Sequence, residues 1–288
     1  MYNKPTTRIK ICTDKSSDLI IGNDLYKIDN KSKIKVERCN DTLVIFANQD
    51  SLSKTYSLKP RNSFNYYGNV FSCGIGFIFD SKSNKRYTYQ KNLYLDFHDD
   101  NLHRFRPDRK GQIGILFSIP YINSLFLKPY GEPDKLSIGF WGFNVGIEYF
   151  YRNSKSVRFT LSGASDLKVP LGSPAFSGEY ELMKSLYISI INTYTIRDFF
   201  LGYGVNYSKN IWDLQYWPSD NISGPTRPPV LKSSQALGIT LNGHYRIGEH
   251  FSIGLIYRPT FLQVKPTTDI VYEHLTSIDF AWKWPLRR

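Results

Sequence analysis

The sequence predicts an all-β chain: a small N-terminal β-sandwich followed by an eight-stranded antiparallel transmembrane β-barrel. Three observations carry the prediction. From Gly111 onward, eight successive segments alternate large apolar residues with small or polar ones, the period of a half-buried strand. The aromatic share is dominated by 21 Tyr and 19 Phe against only 2 Met, a bias toward strand formers. The links between the eight segments are tight on one side and mostly longer on the other, as in barrels that cross a membrane.

Composition bounds the alternatives. With 288 residues, 41% of them hydrophobic, the chain has ample apolar surface for a core and is not disordered. Mean hydropathy is negative, and no run of about 18 apolar residues exists, so no spanning helix is expected. That absence does not bear on a barrel, whose apolar residues alternate with polar ones. The net charge is +12, but Lys and Arg are spread along the sequence with no basic helix or arm, so nucleic acid is not expected as a partner. Cys12, Cys39 and Cys73 lack CxxC spacing; a Cys12 to Cys39 bridge would leave one thiol over, and three buried free thiols are the simpler expectation. The start, MYNKPTTRIKI, has no charged-then-apolar leader, so an exported barrel requires a signal that was removed, replaced or missed.

Residues 1–96 read as the sandwich. RIKIC, DLIIG, KIKVE, TLVIFAN and KTYSLKP are β-prone runs separated by turn chemistry, predicting five to seven strands. Asn62 to Asp80 is apolar but broken by Gly, Asn and Ser, and reads either as a membrane-surface element or as a buried piece of the same core. Tyr87 to Phe97 reads as a last strand. Residues 97–110 are polar and charged, a linker, and residues 111–288 form the barrel.

Within the barrel, one parity collects Ile113, Ile115, Phe117, Trp141, Phe143, Ile188, Leu201, Val205, Ile239, Leu255 and their neighbours; the other collects Asn144, Glu148, Arg158, Ser189, Asn206, Thr240, His244, Arg258, Ser277 and Asp279. Asn192, His274 and Thr276 fall on the apolar parity against the pattern. Tight links at Arg152 to Ser156, Thr195 to Asp198 and Ile247 to His250 place Tyr149, Tyr151, Phe199, Phe251, Trp282 and Trp284 beside the short-turn end, where a lipid-facing aromatic girdle is expected.

These segments, together with TRIKICT (Thr7 to Thr13), KTYSLKP, GNVFSCGIGFIFD and KRYTYQKNLYLDF, carry a resemblance over nearly the whole chain. The arrangement resembles a PEGA-like or carboxypeptidase-regulatory-like β-sandwich ahead of an eight-stranded barrel of the outer-membrane, porin-like superfamily. Asp14 to Ser17 stands where such a domain has its Pro-Glu-Gly-Ala turn. The resemblance implies a bacterial outer-membrane location with a periplasmic N-terminal domain; it implies an architecture and no shared activity or cofactor.

Chemistry-bearing residues are few. An eight-stranded barrel is filled by its own side chains, so Glu148, Arg158, Arg246, Arg258, Asp279 and Lys283 are expected to form a charge network in the lumen. Glu148 and Arg158 face each other across the first tight turn. His244 is the one lumen-parity histidine, and neither it nor His274 has a serine at motif spacing, so no catalytic residue is assigned. His98, Asp99, Asp100 and His103 are metal-ligand types at uninformative spacing, and no metal is assigned. Arg104, Arg106, Arg109 and Lys110 precede the first barrel strand and read either as lipid-phosphate contacts or as a solvated hinge. The expected function is a non-enzymatic outer-membrane barrel, in contact with lipid, that anchors a protein-binding domain over residues 1–96 within an envelope complex. Two rivals stand beside it: a lipid-modifying enzyme with its site among residues 166–179 and 217–234, and a soluble barrel that binds an apolar ligand or single-stranded nucleic acid.

Overall fold

The computed structural model describes residues 4–63, 66, 80, 83–99, 102–108, 110–168, 178–217 and 228–287. Most of the 62–80 segment (Cys73 included), Asp100, Arg109 and the interiors of the 166–179 and 217–234 loops lie outside the described residues. The chain divides into two compact units, Met1–Pro107 and Asp108–Arg288. The boundary falls late in the stretch expected to be a linker. A bridge between Tyr94 and His103 returns that stretch to the first unit, so the linker is shorter than residues 97–110.

The first unit is a two-layer sandwich. One sheet orders β4 (Lys31–Glu37), β1 (Thr6–Cys12) and β9 (Asn92–Tyr94); the other orders β3 (Asp24–Ile28), β2 (Ser17–Ile21), β5 (Leu43–Gln49) and β6 (Leu52–Leu58). Alternation decides which face is inside: Ile9, Ile11, Ile34 and Val36 from one sheet meet Leu19, Ile21, Ile45, Tyr56 and Leu58 from the other in a single core. Truncating a fully buried member such as Ile11 to Ala would cost about 2–5 kcal/mol. The strand β3 has no clean alternation and was not separable from its neighbour by pattern. The predicted Tyr87 to Phe97 strand is two short ones: β8 (Tyr87–Thr88) pairs with β7 (Arg61–Asn62), while β9 runs parallel to β1. Cys12 and Cys39 are not bridged to each other and are half-buried rather than buried, and the Cys39 Sγ sits 2.8 Å from the Tyr89 hydroxyl.

The second unit is a closed barrel of eight antiparallel strands: β10 (Ile113–Leu127), β11 (Lys135–Arg152), β12 (Lys155–Leu167), β13 (Gly178–Ile196), β14 (Phe199–Trp217), β15 (Val230–Arg246), β16 (Phe251–Lys265) and β17 (Asp269–Arg287). Pairing of β10 with β17 removes both sheet edges, which a lipid environment demands because it offers no hydrogen bonds to open strands. The three tight turns stand where expected, two of them bent by left-handed residues, Ser154 (φ 65°) and Arg197 (φ 55°). On the other side, the link from Lys265 to Asp269 is also short, so the length asymmetry holds for three of the four links there. Ile113 and Arg287 are paired, so the chain enters and leaves the barrel at the short-turn end.

Register shifts occur at several places in the barrel, and two of them lie side by side on β10 and β11. The register slips between Pro120 and Ile122 on β10, and between Phe140 and Gly142 on β11, where Trp141 takes φ 77°. Asn123 clamps the site: its Nδ2 donates to the carbonyls of Pro120, Trp141 and Ser165, and its Oδ1 accepts from Ser277. Beyond these bulges the parity inverts, so Leu125 and Leu127 point inward while Leu136 and Ile138 point outward.

Candidate functional site

The candidate site is the barrel wall and its lumen, and the parity assigns each residue to one or the other. Ile115, Phe117, Phe143, Val145, Ile147, Ile188, Ile190, Leu201, Val205, Ile239 and Leu255 are all exposed, Val205 at 61% and Ile147 at 57%. Asn144, Glu148, Arg158, Ser189, Asn206, Thr240, His244, Arg258, Ser277 and Asp279 are all buried. This is the reverse of a water-soluble barrel, where apolar side chains fill the inside. Exposed aliphatic rows of this extent are disfavoured in water by roughly 25 cal/mol per Å² and are at no disadvantage against hydrocarbon.

Aromatic residues ring the short-turn end. Phe251 packs against Trp282 at 5.1 Å and Phe280 at 6.4 Å, Phe199 against Tyr245 at 5.0 Å, and Tyr149 and Trp284 face outward beside them. The polar exception Asn192 belongs to this ring: it accepts from the Tyr151 hydroxyl and donates to those of Tyr194 and Tyr203. A second outward cluster, missed in the sequence, lies at the other end, where His274 packs on Phe126 at 5.3 Å and Tyr272 at 5.4 Å, and the Tyr257 and Tyr272 hydroxyls are 2.7 Å apart. His274 is therefore a member of an outward aromatic cluster rather than an isolated polar break in the pattern. Tyr272 and Trp282 lie on the same face of β17, about 25 Å apart along the barrel axis for a strand rising ~3.3 Å per residue at a ~40° tilt, which matches the apolar band of such barrels.

The lumen is layered. Near the short turns, Glu148 is the hub: its Oε1 accepts from Ser156 Oγ at 2.6 Å and Arg158 Nη2 at 3.0 Å, and Lys283 Nζ is 3.5 Å from its Oε2. Lys283 also pairs with Asp108 at 2.9 Å and sits over the Phe150 and Phe200 rings. One layer up, His244 Nε2 lies 2.8 Å from Asp279 Oδ2, a contact the sequence reading did not anticipate. Its signal was Gly254, which lies between them in the register; a Cβ there would come within 2.5 Å of the His244 ring. His244 Nδ1 has no hydrogen-bond partner among the described residues. Arg246 donates to the Glu249 carbonyl at 2.9 Å. Arg258 makes no salt bridge among the described residues; its guanidinium lies over the Tyr187 ring at 5.0 Å, with Nε and Nη1 lacking hydrogen-bond partners there, and Asp279 is the carboxylate that acts on its charge.

Toward the longer loops, the interior turns apolar, with Leu125, Leu127, Met183, Tyr187, Trp212 and Leu275 in one cluster. This second core was not legible because the bulges shift Leu125 and Leu127 off the expected parity. Glu273 closes the layer, accepting from the Lys128 backbone N–H, Asn210 and Ser234.

The described linker residues each have their own contacts. Arg106 pairs with Asp14 at 3.0 Å, Arg104 lies over the Phe105 ring at 5.0 Å, and the Lys110 backbone N–H donates to the Asn153 side chain at the first tight turn. Of the four potential metal ligands, His103 and Asp99 pair with each other at 2.8 Å, and no metal-holding group of three occurs among the described residues.

Neither a protein-family model nor a curated protein matches the sequence. Among solved structures, the chain is similar to Ail, the attachment invasion locus protein of Yersinia pestis, at 14% identity and TM-score 0.41 over 61% of this chain and 99% of that one. It is also similar to Neisserial surface protein A, at 10% identity and TM-score 0.36 over 59% and 95% of the two chains, and to the outer membrane protein OprG of Pseudomonas aeruginosa, at 14% and 0.29 over 61% and 97%.

Proposed function

We propose that this chain is a non-enzymatic bacterial outer-membrane protein whose barrel anchors a periplasmic, PEGA-like interaction unit, serving as an accessory subunit of an envelope complex. The observation that carries the reading is the inverted barrel: aliphatic rows outside, aromatic rings at both ends, and a buried polar lumen. A lumen filled by Glu148, Arg158, Lys283, Tyr187, Trp212 and Arg258 fits an anchor better than a conduit. Entry and exit of the chain at the short-turn end supports a periplasmic N-terminal unit, since short turns face the periplasm in barrels of this class.

Fractionation of cells followed by electrophoresis of boiled and unboiled detergent extract tests the anchor: a heat-dependent mobility shift in the outer-membrane fraction is expected. A soluble protein without a shift would overturn it. In-cell cross-linking from the periplasmic side then tests the interaction unit, with defined cross-links to residues 1–96 expected. A change in the mass spectrum of the outer-leaflet lipid on deletion or overexpression would replace this reading with a lipid-modifying activity.

A further inference from the structure

The first unit gathers cations that are dispersed in the sequence. On the outward face of the three-stranded sheet, register places Arg8 opposite Lys35, Lys10 opposite Lys33, and Cys12 opposite Lys31. Directly opposed like charges weaken a sheet. The outward positions of β1 and β4 carry one carboxylate, Glu37, opposite Thr6, and Arg8, Lys33 and Lys35 make no ion pair among the described residues. The same face opens into a groove of about 690 Å³ lined by Lys4, Arg8, Lys35, Arg38 and Lys91. Arg38 is held there by its own donations to the carbonyls of Thr6 and Tyr87. The outward face of the other sheet differs in kind: Ile20 is exposed opposite Phe46 on one side and Leu25 on the other. That sheet balances its charges, with Asp18 opposite Lys27, whereas the outward face of β1 and β4 carries a clear excess of cations; such a one-sign face points to an anionic counterpart rather than to general solubility, which needs no such clustering.

We propose that the outward face of the β4-β1-β9 sheet is a contact surface for the phosphate headgroups of anionic phospholipid. Lysines dominate it, and an ammonium on a flexible stem suits a fluid array of phosphates, whereas fixed partners favour the planar fork of arginine. The second unit, by the reading above, lies in that same bilayer, so the chain tethers the first unit to it and raises its effective concentration at the headgroups. Each Lys or Arg beside an anionic surface strengthens partitioning by about fivefold. Opposed cations are then a cost of the isolated fold that the bilayer relieves.

The test uses the full chain in nanodiscs of phosphatidylcholine alone or with phosphatidylglycerol, with brief amine acetylation read by peptide mass spectrometry. Expected is a several-fold slower labelling of Lys33 and Lys35 in the anionic discs, with Lys27 on the other sheet as the internal reference, and loss of that protection in high salt. The variant Arg8→Glu with Lys35→Glu should abolish protection of Lys33 while keeping the heat-dependent mobility shift. Equal labelling in both discs, with the barrel heat-modifiable, overturns the proposal. Protection by soluble polyphosphate but not by phosphatidylglycerol overturns the lipid assignment. Absence of the mobility shift in either disc is instead a failure of the membrane reading on which the proposal rests.

Discussion

Substituting Val205 with Arg separates a lipid-facing wall from a water-facing one. Val205 is 61% exposed and is flanked in register by Ile190 and Ile239, both outward and aliphatic. It stands six residues along β14 from Phe199 in the short-turn ring, or about 15 Å along the barrel axis, near the middle of an apolar band ~25 Å tall. In water, an exposed Val to Arg change is worth within about 0.5 kcal/mol. At the midplane of a bilayer, it costs about 2–4 kcal/mol. Ile196, exposed at 57% beside the tight turn, supplies the control, because the same substitution near the interface costs about 0–1 kcal/mol. All five tryptophans of the chain lie in the second unit, so urea unfolding from liposomes followed by tryptophan emission reads the barrel alone. The expected result is a loss for Val205→Arg exceeding that for Ile196→Arg by about 2 kcal/mol. Equal losses at the two depths would refute the outward-lipid argument.

Three further outcomes follow from the interior and from the first unit. Glu148→Ala leaves Arg158 and Lys283 without their shared carboxylate in a buried layer, and should cost about 3–5 kcal/mol in the same urea assay, with part recovered by adding Arg158→Leu; a loss under 1 kcal/mol would contradict the hub role. Gly254→Ala puts a Cβ 2.3 Å from the Gly243 carbonyl and 2.5 Å from the His244 ring, so about 1–3 kcal/mol should be lost, measured as the shift in unfolding midpoint. Burial and the neighbouring Cys39 raise the Tyr89 phenol above its ordinary value, so the folded unit keeps a proton that the unfolded chain releases near pH 10. That contribution is complete below pH ~10 and declines as pH rises above it; pulse proteolysis of the first unit should show an alkaline loss of stability that Tyr89→Phe flattens.

What was readable in the sequence is what depends on local period and turn chemistry. Alternation along β11, β13, β14 and β15 fixed the inward and outward sets, and the two-residue turns at Asn153 and Arg197 fixed the strand order through them. Glu148 and Arg158 were readable as neighbours because a tight turn sets the register of its own hairpin. The His244 to Asp279 contact was not, since it crosses an intervening strand and depends on Gly254 having no side chain. Nor was the seating of Arg258 over Tyr187, because Tyr187 reaches it from a strand that is not its neighbour.

The sequence by itself determined the strand count of the barrel and, away from the bulges, the two faces of each strand, because a period of two is a property of each strand alone; link lengths and aromatic placement indicated which face is outside. Barrel closure, the bulge on β10 that turns Leu125 and Leu127 inward, and the apolar layer they complete were decided only by tertiary structure, since they depend on pairing between β10 and β17 at the far end of the chain. The cationic sheet shows the same division. Arg8 and Lys10 on one run, and Lys33 and Lys35 on another, look dispersed in sequence; antiparallel register brings them face to face, and only there does their mutual repulsion become a property of the protein.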